Sequence, residues 1–304
     1  MIFYWEFEKN FIIWLQSLFS NSYIRNILIV LNNIISFFGE ELAVIAIVGL
    51  IYWGIDKEKG KRIGFAAISV TVFNSLLKNI FCRLRPYQSV EEIKLLRPVG
   101  GYSFPSGHSS NSACVYSSVA LNFKRKIWLV IAIILPIAIA ISRNYLGAHW
   151  LSDVVVGLLL GYGISFLVNY LLNNYPKKKK MLYFIFFIIA IIGIFYCKTD
   201  DYYSSLGLFC GFIFADIFEK KYVKFEKAKN KYFSILRTFI GCCLYLLLNF
   251  TLKKLFALIL TDSELIYNLL RTVRYMLVTF LLMGIYPLVF TCEKNLKKEN
   301  NDVE

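Results

Sequence analysis

Only two histidines occur in 304 residues, His108 and His149, and acidic residues are scarce, 20 against 34 lysines and arginines. No pair of cysteines is spaced CxxC, which removes a zinc ribbon or a dithiol redox motif. The seven cysteines (Cys82, Cys114, Cys197, Cys210, Cys242, Cys243, Cys292) lie mostly inside apolar runs and read as small hydrophobes. Charge is sparse as well, at 18% of residues, where soluble domains carry about 25%. The N-terminus, MIFYWEFEKN, lacks the basic start and small-residue cleavage site of a secretory signal. It reads as an amphipathic helix ending near Asn21.

What is abundant is apolar sequence, 58% of the chain, with a mean hydropathy of +0.57. That composition excludes a disordered chain. It also argues against a soluble nucleic-acid binder despite the +14 net charge, so no nucleic-acid partner is expected. Stretches long enough to cross a bilayer recur near 25–38, 41–55, 63–81, 108–122, 127–145, 151–172, 181–197, 204–219, 234–252 and 271–291. The expected architecture is an all-α, polytopic transmembrane helix bundle with eight to ten spans, ten in the preferred reading. The first two are short enough to be tilted or partly re-entrant.

The positive charge is concentrated in loops. Asp56–Arg62, Asn122–Lys126, Asn173–Lys180, Glu219–Phe233 and the tail after Thr291 hold 20 of the 34 basic residues. In a ten-span count all five fall on one side, and basic loops mark the cytoplasmic face. Three divisions are expected: a cytoplasmic amphipathic segment over 1–24, a catalytic transmembrane core over 25–175, and a C-terminal helical region with a basic tail over 176–304. Gly207 and Gly211 form a small-xxx-small pair, which suits close helix approach within one chain or between copies.

Three polar clusters interrupt the apolar sequence, all on the opposite, non-cytoplasmic side of this topology. The first is Lys78-x6-Arg85-Pro86 at the end of a span. Seven residues is about two helical turns, so the two cations share a face. Cations at a membrane helix end are costly unless an anion or water meets them, although for this cluster taken alone interfacial snorkelling is the simpler reading. The second is Pro105-Ser106-Gly107-His108, directly before an apolar helix. Ser106 suits an N-cap, Gly107 permits close backbone approach, and free amides at a helix start bind phosphate. The third is Ser142-Arg143-x5-His149-x3-Asp153. If helical, its i, i+4 spacing puts His149 and Asp153 on one face, where the carboxylate fixes the imidazole tautomer and leaves the other nitrogen nucleophilic. Arg143 supplies a fork suited to phosphate. Asp153 is the only acid among these positions, so no metal cage and no cofactor are expected.

Residues 78–86, 105–108 and 142–153 together read KxxxxxxRP, PSGH and SRxxxxxHxxxD. This set resembles the signature of the type 2 phosphatidic acid phosphatase (PAP2) superfamily, whose members include lipid phosphate phosphatases and vanadium haloperoxidases. Every signature position is matched, and a looser likeness extends over 38–165. The resemblance implies a six-helix PAP2-like catalytic core followed here by about four further helices. It implies that His149 attacks phosphorus and becomes phosphohistidine, that Asp153 orients His149, and that His108 protonates the leaving alkoxide and then activates water. Lys78, Arg85, Arg143, Ser106 and Gly107 would hold the phosphoryl oxygens.

The expected substrate is a membrane lipid phosphate or pyrophosphate whose tail stays in the bilayer: a polyprenyl pyrophosphate, phosphatidate, phosphatidylglycerophosphate or a sphingoid-base phosphate. Two alternatives stay open at this point: haloperoxidase-like chemistry with vanadate, and a non-enzymatic lipid transporter or scaffold. The expected location is a bacterial cell membrane with the site on the non-cytoplasmic side. Oligomeric state is not legible in the sequence.

Overall fold

The computed structural model describes residues 4–18, 22–259 and 263–291, and among them no strand occurs. The helices in order are α1 (Glu6–Ser17), α2 (Ser22–Phe37), α3 (Glu41–Gly49), α4 (Lys57–Phe81), α5 (Pro86–Ser89), α6 (Gly107–Phe123), α7 (Lys126–Tyr145), α8 (Leu151–Asn174), α9 (Lys179–Ile192), α10 (Asp200–Phe218), α11 (Lys231–Ala257) and α12 (Glu264–Phe280). Short π-helical segments follow α3, α10 and α12, at Leu50–Ile55, Glu219–Val223 and Leu281–Ile285. The all-α expectation holds, and each of the ten expected spans falls on a helix. The expected helix end at Asn21, the basic tail beyond Thr291 and Cys292 lie outside the described residues.

The number of helices fit to cross a membrane is smaller than ten. Among the described residues five are long and apolar enough, Lys57–Ser89, Lys126–Tyr145, Leu151–Asn174, Lys231–Ala257 and Glu264–Thr291. Ser22–Phe37 with Glu41–Ile55 makes a sixth if that pair, bent by 44°, counts as one span. The others fall short for visible reasons. The 17-residue α6 is studded with serines, α9 has only 14 residues, and α10 carries Asp200, Asp201 and Asp216. The protein is an integral membrane protein with several transmembrane helices, and α7 presents Ile127, Leu129, Val130, Ile133, Ile134, Ile137 and Ile141 outward as a lipid-facing stripe.

The chain divides into two compact units. The first comprises residues 1–44, 66–179 and 192–199; the second comprises 45–65, 180–191 and 200–304. In the first unit, α6 packs on α8 through small residues, as expected where lipid removes the hydrophobic drive between helices. A Cβ on Gly157 would meet the Ser106 carbonyl at 2.7 Å, and one on Gly161 would collide with the Ser110 carbonyl. Further along the same seam, Ser118 and Ser165 share a 2.8 Å hydrogen bond, and Asn122 donates to Asn169 Oδ1 at 2.6 Å. The serines that weaken α6 as a span thus serve its contact with α8. Pro136 inside α7 leaves the Ala132 carbonyl without its helical donor, and the Tyr162 hydroxyl of α8 donates to it at 2.8 Å.

The second unit has its own core, with Phe65 packed among Tyr183, Phe186, Phe209 and Phe212. Gly207 and Gly211 are used inside the chain: α12 lies so close that a Cβ at either position would strike the Thr272 or Met276 carbonyl. Lys61 corrects the reading of Asp56–Arg62 as a basic loop, because it lies within α4. Its ammonium is buried, 2.5 Å from Glu219 Oε2 and 2.9 Å from Asp216 Oδ1, and Lys57 reaches Glu219 Oε1 at 2.8 Å.

Candidate active site

Four pieces of the first unit bring the expected site residues together. The last turns of α4 carry Lys78, and Arg85 is the extended residue before Pro86, where proline disfavours continued helix. The Pro105–His108 turn opens α6, the end of α7 carries Arg143, and the turn before α8 carries His149. Lys78, Arg85, Arg143, His149, Asp153 and Ser106 are all buried, and His108 is partly exposed.

Ser106 is the N-cap of α6, as expected. Its hydroxyl accepts from the Ser109 amide at 3.5 Å and from the Ser109 hydroxyl at 3.0 Å, so it is taken up in capping. The Ser106 amide donates to the Asp153 carbonyl at 2.9 Å, and Asn74 of α4 donates to the Pro105 carbonyl at 3.3 Å. The turn is therefore braced from both α8 and α4. The amides of Gly107 and His108 begin the helix, where no intrahelical acceptor exists, which leaves an anion-binding helix start. His108 stands within electrostatic reach of His149, Arg143, Lys78 and Arg97.

His149 is held on both ring nitrogens. Nδ1 lies 2.8 Å from the Ser103 carbonyl, which can only accept, so Nδ1 carries the proton. Nε2 is then bare and takes an Arg85 Nη1 hydrogen at 3.2 Å. Burial first, then the positive charges of Arg85, Arg143 and Lys78, push the imidazole pKa well below its ordinary value, while the Ser103 bond works in the opposite direction. His149 and Asp153 were expected on one helical face. The structure corrects this: α8 begins at Leu151, so His149 precedes the helix. Asp153 sits at the third helical position and folds back, accepting from the Trp150 amide at 2.7 Å and leaving Oδ2 3.5 Å from His149 Nδ1. The nearest orienting group of His149 is the Ser103 carbonyl, with the carboxylate just behind it.

The arginines differ in how far they are satisfied. Arg85 donates to the carbonyls of Gly101 (2.9 Å), Ala148 (2.8 Å), Gly100 (2.5 Å) and Tyr102 (3.2 Å). Arg143 has a long 3.5 Å contact from Nη1 to Ser36 Oγ, and its buried Nε has no partner among the described residues.

Sequence reasoning missed four residues that the structure places in contact with this group. Arg83 is buried and donates to Asp153 Oδ1 at 2.7 Å and to Glu8 Oε2 at 2.9 Å. Ser103 donates its hydroxyl to Asp153 Oδ2. Ser152 gives both its amide (2.7 Å) and its hydroxyl (2.6 Å) to Glu8 Oε1. Arg83 lies two residues before a signature arginine, a weak signal; nothing in the sequence links Glu8 to position 152. The contacts of Glu8 put α1 at the same end of the unit as His149. The expectation of residues 1–24 and the site on opposite faces is thereby corrected, because the acid of α1 is bound to the start of α8.

Known proteins are similar to this chain. Residues 60–177 match the model of the PAP2 superfamily, and residues 203–297 match that of the PAP2 superfamily phosphatase transmembrane extension. An undecaprenyl-diphosphatase of Sulfolobus acidocaldarius is 30% identical over 147 residues, 48% of this chain and 71% of that protein. A phosphatidylglycerophosphatase B of Bacillus subtilis is 37% identical over 107 residues, 32% of this chain, which there spans only half of the relative's length. The crystal structure of Aquifex aeolicus LpxE shares the fold at 22% identity and a TM-score of 0.50, covering 56% of this chain and 99% of that one. The matched core spans all three signature clusters, and the second match accounts for the helices that follow it, so the chain belongs to the PAP2 superfamily as a membrane lipid phosphatase with the transmembrane extension.

Proposed function

We propose that the protein hydrolyses a lipid phosphate or pyrophosphate through a phosphohistidine on His149. The observation that carries this reading is the state of the imidazole: Nδ1 held by the Ser103 carbonyl at 2.8 Å, and Nε2 bare among cations. The Nε2 lone pair forms the N–P bond as the bond from phosphorus to the lipid oxygen breaks. His108 gives that oxygen its proton, the incoming phosphate's negative charge having favoured the protonated form. Neutral His108 then takes a proton from water as the water oxygen attacks phosphorus, and the N–P bond breaks to release phosphate. Asp153, 3.5 Å from Nδ1, stabilises the ring while it is cationic. Lys78, Arg85, Arg143 and the amides at the start of α6 hold the phosphoryl oxygens and the charge that builds on them, with Ser106 shaping that turn.

The substrate class follows from the setting. A site built at the ends of membrane helices suits a phosphate head whose tail remains in lipid, and both relatives above are named for phosphatase activities. Neither the haloperoxidase-like nor the transporter alternative has a comparable observation behind it. The site is assigned to the non-cytoplasmic face. Supporting this, the start of α6, the end of α7 and the start of α8 carry the site, whereas the basic turns at 122–126 and 173–180 lie at the opposite ends of those helices.

Phosphate release from a panel of purified lipid monophosphates and diphosphates tests the proposal, with His149→Ala as the blank. The parental protein is expected to turn over at least one of them and to yield an acid-labile, alkali-stable phosphoenzyme. Near-normal turnover by His149→Ala would overturn the mechanism.

A further inference from the structure

The Glu8 carboxylate is fully buried and comes from an N-terminal helix that carries no signature residue. An isolated buried carboxylate is strongly unfavourable, so its partners indicate what it is for. Oε1 accepts the Ser152 amide at 2.7 Å and the Ser152 hydroxyl at 2.6 Å. Oε2 accepts Arg83 Nη2 at 2.9 Å and the Trp5 amide at 3.2 Å. Ser152 is the second residue of α8, so Glu8 caps that helix from outside it, where the helix dipole favours negative charge. Asp153 is the next residue. Arg83 bridges the two acids, with Nη1 at 2.7 Å from Asp153 Oδ1 and 2.6 Å from Ser152 Oγ, and its guanidinium lies 5.5 Å from the Trp150 ring centre. The same Trp150 stacks on Tyr4, at 4.7 Å and 9° between planes.

We infer that Glu8 is a positioning residue for the reaction proposed above, acting through Arg83 and Ser152 to fix the Asp153 carboxylate behind His149. The inference rests on that reading. One planar guanidinium cannot rotate to follow Asp153 while its other edge is held by Glu8. The hydroxyl of Ser152 ties the two edges together. With Ser103 and the Trp150 amide also on Asp153, both carboxylate oxygens are pinned, and Oδ2 is kept at 3.5 Å from Nδ1 rather than in direct contact. The carboxylate is thus in place for the cationic ring of the intermediate, while the resting tautomer is set by Ser103. An N-terminal helix outside the signature would in this way control the rate of the chemical step without touching substrate.

Glu8→Gln separates this role from simple packing. The amide oxygen still accepts from Ser152, but its NH2 group faces Arg83, donor against donor. Arg83→Lys keeps the charge and loses the fork. Gln16→Ala loosens the other end of α1, where Gln16 donates to the Lys94 and Tyr145 carbonyls at 2.9 and 3.0 Å. Steady-state kinetics on a turned-over lipid phosphate are the readout. Glu8→Gln and Arg83→Lys are each expected to lower kcat by about tenfold or more with KM within about twofold. The double variant is expected to be no slower than the slower single one, and Gln16→Ala to keep parental kcat. If Glu8→Gln does not yield folded protein, Ser152→Ala, which removes only the hydroxyl tie, carries the same expectation. Parental kcat in Glu8→Gln or in that substitute would overturn the inference, as would equal losses in Glu8→Gln and Gln16→Ala. A parental protein with no phosphatase activity would instead sink the function proposed above.

Discussion

Replacing Gly157 by alanine introduces one methyl group between α8 and the turn that opens α6. Its Cβ would lie 2.7 Å from the Ser106 carbonyl and 3.1 Å from Ser109 Cβ, where ordinary contact begins at 3.4 Å. The backbone carbonyl has no rotamer to escape through, so the turn must move by about 0.7 Å. Overpacking of this kind destabilises by about 1–3 kcal/mol, and the gain from removing a helical glycine offsets about 0.5–1 kcal/mol of that. The fold should survive. The effect on catalysis should be larger, because the displaced turn carries the α6 amides and His108, and a misplacement of about 1 Å can lower a rate by about 10²-fold. We expect Gly157→Ala to lower kcat by about 10- to 100-fold. Gly163 is the internal control, lying in the same helix with nothing within 4 Å of the added Cβ. Gly163→Ala gains the same helix propensity and should leave kcat unchanged. Phosphate release in micelles, paired with thermal unfolding of each variant, measures both effects. Equal kcat in the two variants would refute the claim that the α6–α8 seam sets the site geometry.

His149 is expected to remain neutral at pH 6, with Nδ1 protonated and Nε2 bare, in the direction its burial and surrounding cations dictate. Since the chain has two histidines, 15N-histidine labelling reads this directly, with His149→Ala as assignment; an imidazolium spectrum for His149 at pH 6 would contradict it. The sign for stability follows: an unfolded His149 takes up a proton near pH 6.5 and the folded one does not, so its contribution is complete above pH 6.5 and erodes as pH falls below it. In the second unit, Lys61→Met leaves Asp216 and Glu219 facing each other without their shared cation, and should destabilise by about 3–5 kcal/mol in equilibrium unfolding. A loss below about 1 kcal/mol would show that Lys57, Lys220 and water, rather than Lys61, neutralise that pair.

The helices were legible because a bilayer imposes a long apolar period that composition alone reveals, and all ten expected segments coincide with helices. Their number as spans was overestimated at α6, whose serines face a neighbouring helix and whose apolar residues made it resemble an independent crossing. The clusters around Lys78, His108 and His149 were legible because each is a short run of local spacing. The partners of Asp153 were not. A spacing of i, i+4 suggested His149, whereas the helix starts between them and the carboxylate is bound by Arg83, Ser103 and the Trp150 amide. Arg83 and Glu8 are 75 residues apart, and Glu8 and Ser152 are separated by 144, distances over which no periodicity carries information. Lys61 was read as part of a basic loop for the same reason: its acidic partners lie some 155 residues later.

Partner counts explain why neighbouring arginines behave differently. Arg83 is matched by two buried acids, so its charge is already neutralised and it has nothing left to offer a dianion. Arg85 is matched by backbone carbonyls, which satisfy its hydrogens without cancelling its charge, and it keeps one hydrogen on His149 Nε2. Arg143 is matched, among the described residues, by almost nothing. A buried cation so poorly satisfied is a standing penalty to the resting fold. On the proposed function, a phosphoryl group would relieve it by bringing oxygens to the donor that lacks an acceptor. On the proposed function, the gradient from Arg83 through Arg85 to Arg143 runs from positioning to binding, and it is set by what each guanidinium already touches rather than by its place in the signature.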